Sequence, residues 1–302
     1  MKFTVEKEGR PIIKKGLGKL DVFSFDSLWT YHPCVLEWKE KYYLFYTGKR
    51  LKKGIAHQIG LAVSFDLLKW NKMVNPILRE GKKGEWDSDF AAHAFVFKDK
   101  GRFYMLYDGS RKENWLEEIG LAESQDLIHW EKYAGNPIFK VGKNWWERKH
   151  VSRCFLFKEK GIYYLYYAGH DGQRERIGMA KGKSIFKLER FEEPVLDVGE
   201  KGSFDEKSIS DPRIIKYHGG YLMFYSAVDG KGIERMGVAE SSDLVTWKKY
   251  AKNPLLDVSS NGWDKISAAR GDVKLFGKDL YLFYSGRRKH FYNIGMAKLS
   301  IK

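Results

Sequence analysis

Five residues stand at one recurring place in this chain and carry types that do acid–base and anion chemistry: His32, His93, Arg153, Asp211 and Arg270. Each lies six residues after an acid that itself follows an aromatic: Phe25-Asp26, Trp86-Asp87, Trp146-Glu147, Phe204-Asp205 and Trp263-Asp264. A carboxylate among imidazoles can move protons, and guanidinium forks match phosphate or an acidic sugar. Asp108 supplies a second carboxylate. It is the one acid in the set Thr47, Asp108, Ala168, Ser226 and Ser285, which closes the second aromatic strand of each repeat. Such a ring would be costly inside a purely structural core, so it is read as a site. The bland alternative is a wet channel lined by satisfied polar groups.

The elements that bring these residues together come from a repeat. An Ile-Gly-hydrophobic-Ala step, with Met for Ile once, recurs around Gly60, Gly120, Gly178, Gly237 and Gly295, at spacings of 60, 58, 59 and 58 residues. Each copy runs from the aromatic–acid pair into a hydrophobic strand, a polar turn, an aromatic strand such as Tyr42-Tyr43-Leu44-Phe45-Tyr46, and the glycine strand. Three copies continue into a Ser-x-Asp turn ending in Trp70, Trp130 or Trp247. Four short strands per unit, repeated at a fixed period, read as propeller blades. The expected fold is all-β: a single-domain, five-bladed β-propeller with blades near 13–80, 81–140, 141–197, 198–257 and 258–302. The fifth copy lacks its outer strand, and Arg10-Pro11-Ile12 matches the missing ending, so residues 1–12 are expected to complete it. The five acids Asp26, Asp87, Glu147, Asp205 and Asp264 recur in every copy. They are expected to be scaffold, because a substrate site is not five-fold symmetric.

Composition narrows the classes. The 19 Phe, 18 Tyr and 10 Trp favour strands and a large core. The longest apolar runs are of strand length, too short to span a bilayer. Met1 to Lys7 lacks the apolar stretch of a signal peptide, and Cys34 and Cys154 make no disulfide framework, so a cytosolic protein is expected. The net charge of +15 invites an anionic partner, but no basic run stands out and no nucleic-acid motif occurs; nucleic acid is ranked last. Many Lys and Glu beside three Gln give a thermophile-like composition.

The Tyr-Tyr-Leu-Phe-Tyr strands, the Gly-Leu-Ala-x-Ser-x-Asp-Leu-x-x-Trp turns, the Asn-Pro-Ile endings and Ser210-Asp211-Pro212-Arg213 together resemble the five-bladed propeller glycosidases, glycoside hydrolase families 43, 32, 68 and 130. The resemblance covers nearly the whole chain. It implies cleavage of glycosidic bonds of oligosaccharides by acids at the channel mouth. Where family 43 opens its first blade with a basic Asp, this chain has His32, in Trp29-Thr30-Tyr31-His32-Pro33. Ser210-Asp211-Pro212-Arg213 resembles the Glu-Asp-Pro-Arg motif of family 130, which includes mannoside phosphorylases.

The catalytic set expected on these grounds is Asp211 as the ionised member, Asp108 as its partner, and His32 or His93 as proton donor. Arg153, Arg270, Asp89, Trp115, Arg213 and Arg111 are expected to bind substrate. A phosphate-dependent phosphorylase and a non-catalytic carbohydrate-binding propeller remain open. No cofactor is expected, although a channel metal ion on His32, His93 and Asp211 is compatible with the residue types.

Overall fold

The computed structural model describes residues 1–16, 23–51, 57–111 and 116–302, and every regular element among them is a strand. After β1 (Phe3–Lys7) the strands fall into five antiparallel units that follow the sequence repeats. The first comprises β2 (Trp29–Trp38), β3 (Lys41–Lys49), β4 (His57–Ser64) and β5 (Asn71–Lys72). The second comprises β6 (Phe90–Asp99), β7 (Arg102–Arg111), β8 (Leu116–Ser124) and β9 (Glu131–Lys132). Then come β10 (His150–Glu159), β11 (Ile162–His170), β12 (Glu175–Ser184) and β13 (Lys187–Arg190). The fourth unit is β14 (Ser208–Tyr217), β15 (Gly220–Val228), β16 (Glu234–Ser241) and β17 (Lys248–Lys249). The fifth is β18 (Ser267–Phe276), β19 (Asp279–Arg287) and β20 (Tyr292–Ile301). In β2–β3 the hairpin turns on Lys39 and Glu40, both at positive φ, the geometry that suits the right-handed twist of the flanking strands.

The fifth unit borrows its outer strand. β1 pairs antiparallel with β20 from Phe3↔Ile301 to Lys7↔Ala297. Ile13 bridges Ile294 as Leu78 bridges Ile59, Phe139 bridges Ile119, Leu196 bridges Ile177 and Leu256 bridges Met236. The expected ending at Arg10-Pro11-Ile12 therefore leads directly into the matching contact.

The repeated residues are scaffold, as expected. Each acid is buried and held twice. Asp26 accepts from Tyr46 Oη at 2.9 Å and pairs with Lys72 at 2.5 Å. Asp87 takes Tyr107 and Lys132, Glu147 takes Tyr167 and Arg190, Asp205 takes Tyr225 and Lys249, and Asp264 takes Tyr284 and Lys7. The cation comes from the outer strand every time, so the acid pins that strand to the unit. The glycine of the repeated step makes room for the aromatic before the acid. A Cβ on Gly120 would lie 2.5 Å from Trp86 Cζ2, so a Gly120→Ala change would have to displace the ring. In the Ser-x-Asp turns Ser64 Oγ accepts the Leu67 amide, Asp66 accepts the Lys69 amide, and Trp70 Nε1 donates to Leu67 O.

Neighbouring units meet at one end through parallel pairs: His150↔Glu117, Ser267↔Glu234 and, between the first and last units, Trp29↔Tyr292. The candidate site lies at that end.

Candidate active site

His32, His93, Arg153, Asp211 and Arg270 are all β-bulges. Pairing of each first strand with its second slips at this point, between Tyr31 and Cys34 in β2 and at the matching places in β6, β10, β14 and β18. The five residues sit at φ of 51°, 54°, 50°, 53° and 55°, a left-handed conformation that costs a residue with a Cβ about 1 kcal/mol or more. Five strained positions at one end of a repeat fold re-aim five side chains toward one another. The bulged amides are satisfied by the preceding unit: His93 N donates to Thr47 Oγ1 at 2.8 Å, Arg270 N to Ser226 Oγ at 2.7 Å and His32 N to Ser285 Oγ at 2.9 Å. Asp108 Oδ2 does the same for Arg153 N at 2.8 Å. The residue that stood out as the one acid of its set thus shares the capping role of its counterparts.

At the centre, His32 Nδ1 lies 2.9 Å from Asp211 Oδ1, and Ser210 Oγ donates to Asp211 Oδ2 at 2.9 Å. Burial opposes ionisation of Asp211, but the contact with His32 and the nearby Arg153 and Arg213 guanidiniums outweigh it and hold its carboxyl well below the usual range. His93 Nδ1 lies 2.7 Å from Asp108 Oδ2, and the two imidazole rings are 4.0 Å apart. Burial, then the facing His93, push His32 well below 6.5; burial and Arg153 push His93 down to about 3. Both are neutral imidazoles near neutral pH, which differs from the expectation that one of them donates the proton. Burial raises Asp108 well above the ordinary carboxylate range, against the pull of the Arg153 amide and guanidinium.

A second ring of site residues escaped the sequence reading. Three residues before each repeated glycine, at the start of the third strands, stand His57, Glu117, Glu175, Glu234 and Tyr292. Glu175 takes Arg153 Nη1 at 2.6 Å and Ser208 Oγ at 2.8 Å. Glu234 takes the Arg270 fork, Nε at 2.9 Å and Nη2 at 3.1 Å, with Ser267 and Tyr292 hydroxyls at 2.9 Å each. Burial opposes their ionisation, yet Arg153 and Arg270 keep both below the ordinary glutamate value. Tyr31 Oη meets His57 Nδ1. Glu117 is different: its Oε2 is buried without a partner, and burial raises its carboxyl despite Arg153. The signal was available, since the offset from the glycine is constant and three glutamates occupy it in consecutive units.

The other expected site residues are spread out. Arg213 is buried, its Nε 3.4 Å from Asp272 Oδ1 and its guanidinium beside the rings of Phe95 and Phe155, in the wall behind the bulges. Asp89 precedes β6 and gives its amide to Ser110 O, and Arg111 ends β7 exposed. Trp115 lies outside the described residues. Arg153 and Arg270, expected as an anion fork, are each occupied by a glutamate. Nor do His32, His93 and Asp211 form a metal set, because Asp211 holds His32 while His93 turns to Asp108. Among the described residues, His93, Asp108 and Glu117 are the three whose ligand atoms lie within 4.8 Å of one another.

A mouth of buried carboxyls shifted in opposite directions, Asp211 down and Asp108 and Glu117 up, suits cleavage of a sugar acetal. The family model described as β-1,4-mannooligosaccharide phosphorylase matches residues 20–154 and 155–298. The chain belongs to glycoside hydrolase family 130. This family 130 member is 22% identical over 240 residues, 75% of each protein, to a 1,2-β-oligomannan phosphorylase of Thermoanaerobacter sp. (strain X514). Its fold matches a solved glycoside hydrolase with a TM-score of 0.79, 21% identity and coverage of 99% and 93% of the two chains. A β-1,2-mannobiose phosphorylase from Listeria innocua, in complex with β-1,2-mannobiose, matches at TM-score 0.74, 15% identity, and coverage of 99% and 96%. The architecture is therefore all-β and of the propeller glycosidase type, and the protein is a glycoside-processing enzyme of the hydrolase or phosphorylase kind.

Proposed function

We propose that this family 130 member hydrolyses a β-mannosidic bond of an oligosaccharide at the mouth of a ring closed by five blades. The Trp29↔Tyr292 pairing of first and last units and the borrowed outer strand support the closed ring and its reading as one domain. The observation that carries the function is the coexistence, in one mouth, of Asp211, beside His32 and lowered well below the ordinary carboxylate range, and of the buried Asp108 and Glu117, whose carboxyls are raised above theirs. Asp211 supplies the negative charge that stabilises an oxocarbenium-like transition state, and it accepts the proton of the attacking water. His32, with its Nδ1 2.9 Å from Asp211 Oδ1, leaves Nε2 for a substrate hydroxyl or the water.

Water is favoured over phosphate as nucleophile because both bulge arginines already face a glutamate. Among the described residues, Arg153 pairs with Glu175, and Arg270 and Arg287 approach Glu234. A phosphate dianion would meet those carboxylates. Phosphorolysis is the second reading, favoured by the family description and by the Thermoanaerobacter relative.

The deciding assay is product release from β-1,2- and β-1,4-mannobiose with and without inorganic phosphate. Free mannose at equal rates in both buffers supports hydrolysis, and mannose 1-phosphate formed only with phosphate supports the second reading. Binding of a mannoside without turnover would replace both with a carbohydrate-binding propeller. In an active enzyme, Asp211→Asn is expected to lower turnover by about 10²–10⁴-fold.

A further inference from the structure

The repeat provides internal controls for every residue of the mouth, and one side chain departs from its counterparts in a way that bears on the reaction. Glu117, Glu175 and Glu234 stand at the start of the third strands of consecutive units. Glu175 and Glu234 each receive a hydroxyl from the residue that opens the first strand of the next unit, Ser208 and Ser267. In the unit after Glu117 that opening residue is His150. Its Nδ1 accepts the Glu117 backbone amide at 3.1 Å, so this nitrogen has no proton to give the carboxyl. Glu175 and Glu234 also each hold an arginine, and Arg153, the guanidinium nearest Glu117 in the ring, is turned onto Glu175 at 2.6 Å. Glu117 is left with its Oε2 buried and unpartnered beside His93 and Asp108. Glu117 therefore lacks both direct contacts, the guanidinium and the hydroxyl, that keep its counterparts ionised.

We infer that Glu117 is the proton donor to the leaving group. This rests on the reading of the mouth as a glycoside-cleaving site. As the C1–O bond breaks, its electron pair stays on the glycosidic oxygen, which takes the proton from Glu117 and leaves with the aglycone sugar. The oxygen of water forms the new bond to C1, and its proton passes to Asp211. Glu117, now a carboxylate, is reprotonated from solvent as Asp211 loses its proton, so the cycle closes without any oxidant or cofactor. Asp108 is the weaker candidate for the donor. It is fully buried, and its Oδ2 is fixed by the Arg153 amide and by His93. Glu117 remains partly exposed to the mouth. Burial also keeps its carboxyl raised, in line with an acid that must stay protonated until it acts.

The test compares the wild type with Glu117→Gln on β-mannobiose and on 2,4-dinitrophenyl β-mannoside, whose leaving group needs no proton. Gln matches the shape and neutrality of the protonated acid, so the thermal midpoint should stay within a few degrees. The expected result is a loss in kcat/KM of about 10²–10⁴-fold on the disaccharide and about 10-fold or less on the aryl glycoside. The alkaline limb of the pH–rate profile should also disappear. Glu117→Asp, which keeps a carboxyl, should recover part of the disaccharide rate. Equal losses on both substrates, or turnover unchanged by Glu117→Gln in an active enzyme, would overturn the assignment alone. Failure of the wild type to cleave any glycoside would overturn the cleavage reading and this assignment together.

Discussion

Arg153 Nη1 lies 2.6 Å from Glu175 Oε1, and Ser208 Oγ closes on the other oxygen of the same carboxylate at 2.8 Å. One of the two guanidiniums expected to bind an anion is thereby neutralised inside its own unit. Wild-type turnover is accordingly expected to be independent of inorganic phosphate. Glu175→Gln keeps the Ser208 contact but frees the arginine. It should bind phosphate about 10-fold or more tightly than the wild type, the scale of one charge-assisted hydrogen bond. Calorimetric titration with phosphate measures this, and equal affinities would mean that Glu175 does not mask the site.

Buried neutral histidines make the fold sensitive to acid. Burial, then Lys49, holds His57 down to about 3, and burial with Arg153 holds His93 to the same value. Because these folded-state values are depressed, their stabilisation is complete above about 6.5 and is lost as the pH falls toward 3. Asp108 and Glu117 act in the opposite sense. Their raised values favour the folded state at low pH and weaken it as the pH rises above the unfolded carboxyl range. As the pH falls below about 6.5, unfolding takes up protons on His32, His57 and His93, whereas Asp108 and Glu117 act against this uptake. The three histidines therefore contribute a loss of stability on acidification. His57→Gln should flatten the slope by about 1.4 kcal/mol per pH unit, read from urea midpoints across that range. An unchanged slope would mean that His57 is already charged in the folded protein.

The N-terminal strand should be needed for the stability of the last unit. Lys7 Nζ lies 2.7 Å from Asp264 Oδ2, the contact that Lys72, Lys132, Arg190 and Lys249 make in the other four units. Lys7→Met leaves a buried carboxylate held by the Tyr284 hydroxyl, its own turn and no cation. The expected cost is about 2 kcal/mol, a fall in thermal midpoint of about 4–8 °C. Lys7→Arg should restore most of it. A neutral result for Lys7→Met would show that β1 is held by its backbone ladder alone.

Transition-metal ions should inhibit by taking the position of the proton. His93, Asp108 and Glu117 can offer one nitrogen and two oxygens to a single cation. Zn²⁺ in the micromolar range is expected to lower turnover, EDTA to restore it, and Glu117→Gln to weaken zinc binding by at least 10-fold in a direct titration. A zinc requirement for turnover would instead make the metal part of the chemistry.

The repeat made much of the scaffold legible. The acids, their aromatic partners, the Ser-x-Asp turns and the borrowed N-terminal ending all follow from residues that recur at fixed offsets, and each proved to satisfy a local need. The same logic picked out His32, His93, Arg153, Asp211 and Arg270 as one set. It assigned their partners less well. Asp108 looked exceptional by type but caps an amide as Thr47, Ser226 and Ser285 do. Glu117, Glu175 and Glu234 were passed over, although their offset from the glycine is as regular as that of the bulges.

What the sequence determined on its own was therefore periodicity: which residues share a strand position, and that five such positions recur. Periodicity is written in the chain because strands and turns are local, and each unit repeats the same local problem. The charge states of the mouth were decided only by tertiary structure. Whether Glu175 is a paired carboxylate and Glu117 a lone acid depends on the side chain to which Arg153 turns and on which group the next unit brings within about 3 Å. That side chain comes from 33 residues along the chain: Ser208 donates to the Glu175 carboxylate, whereas His150 accepts the Glu117 amide. Only folding sets the two face to face and removes the water that would otherwise have made them equivalent.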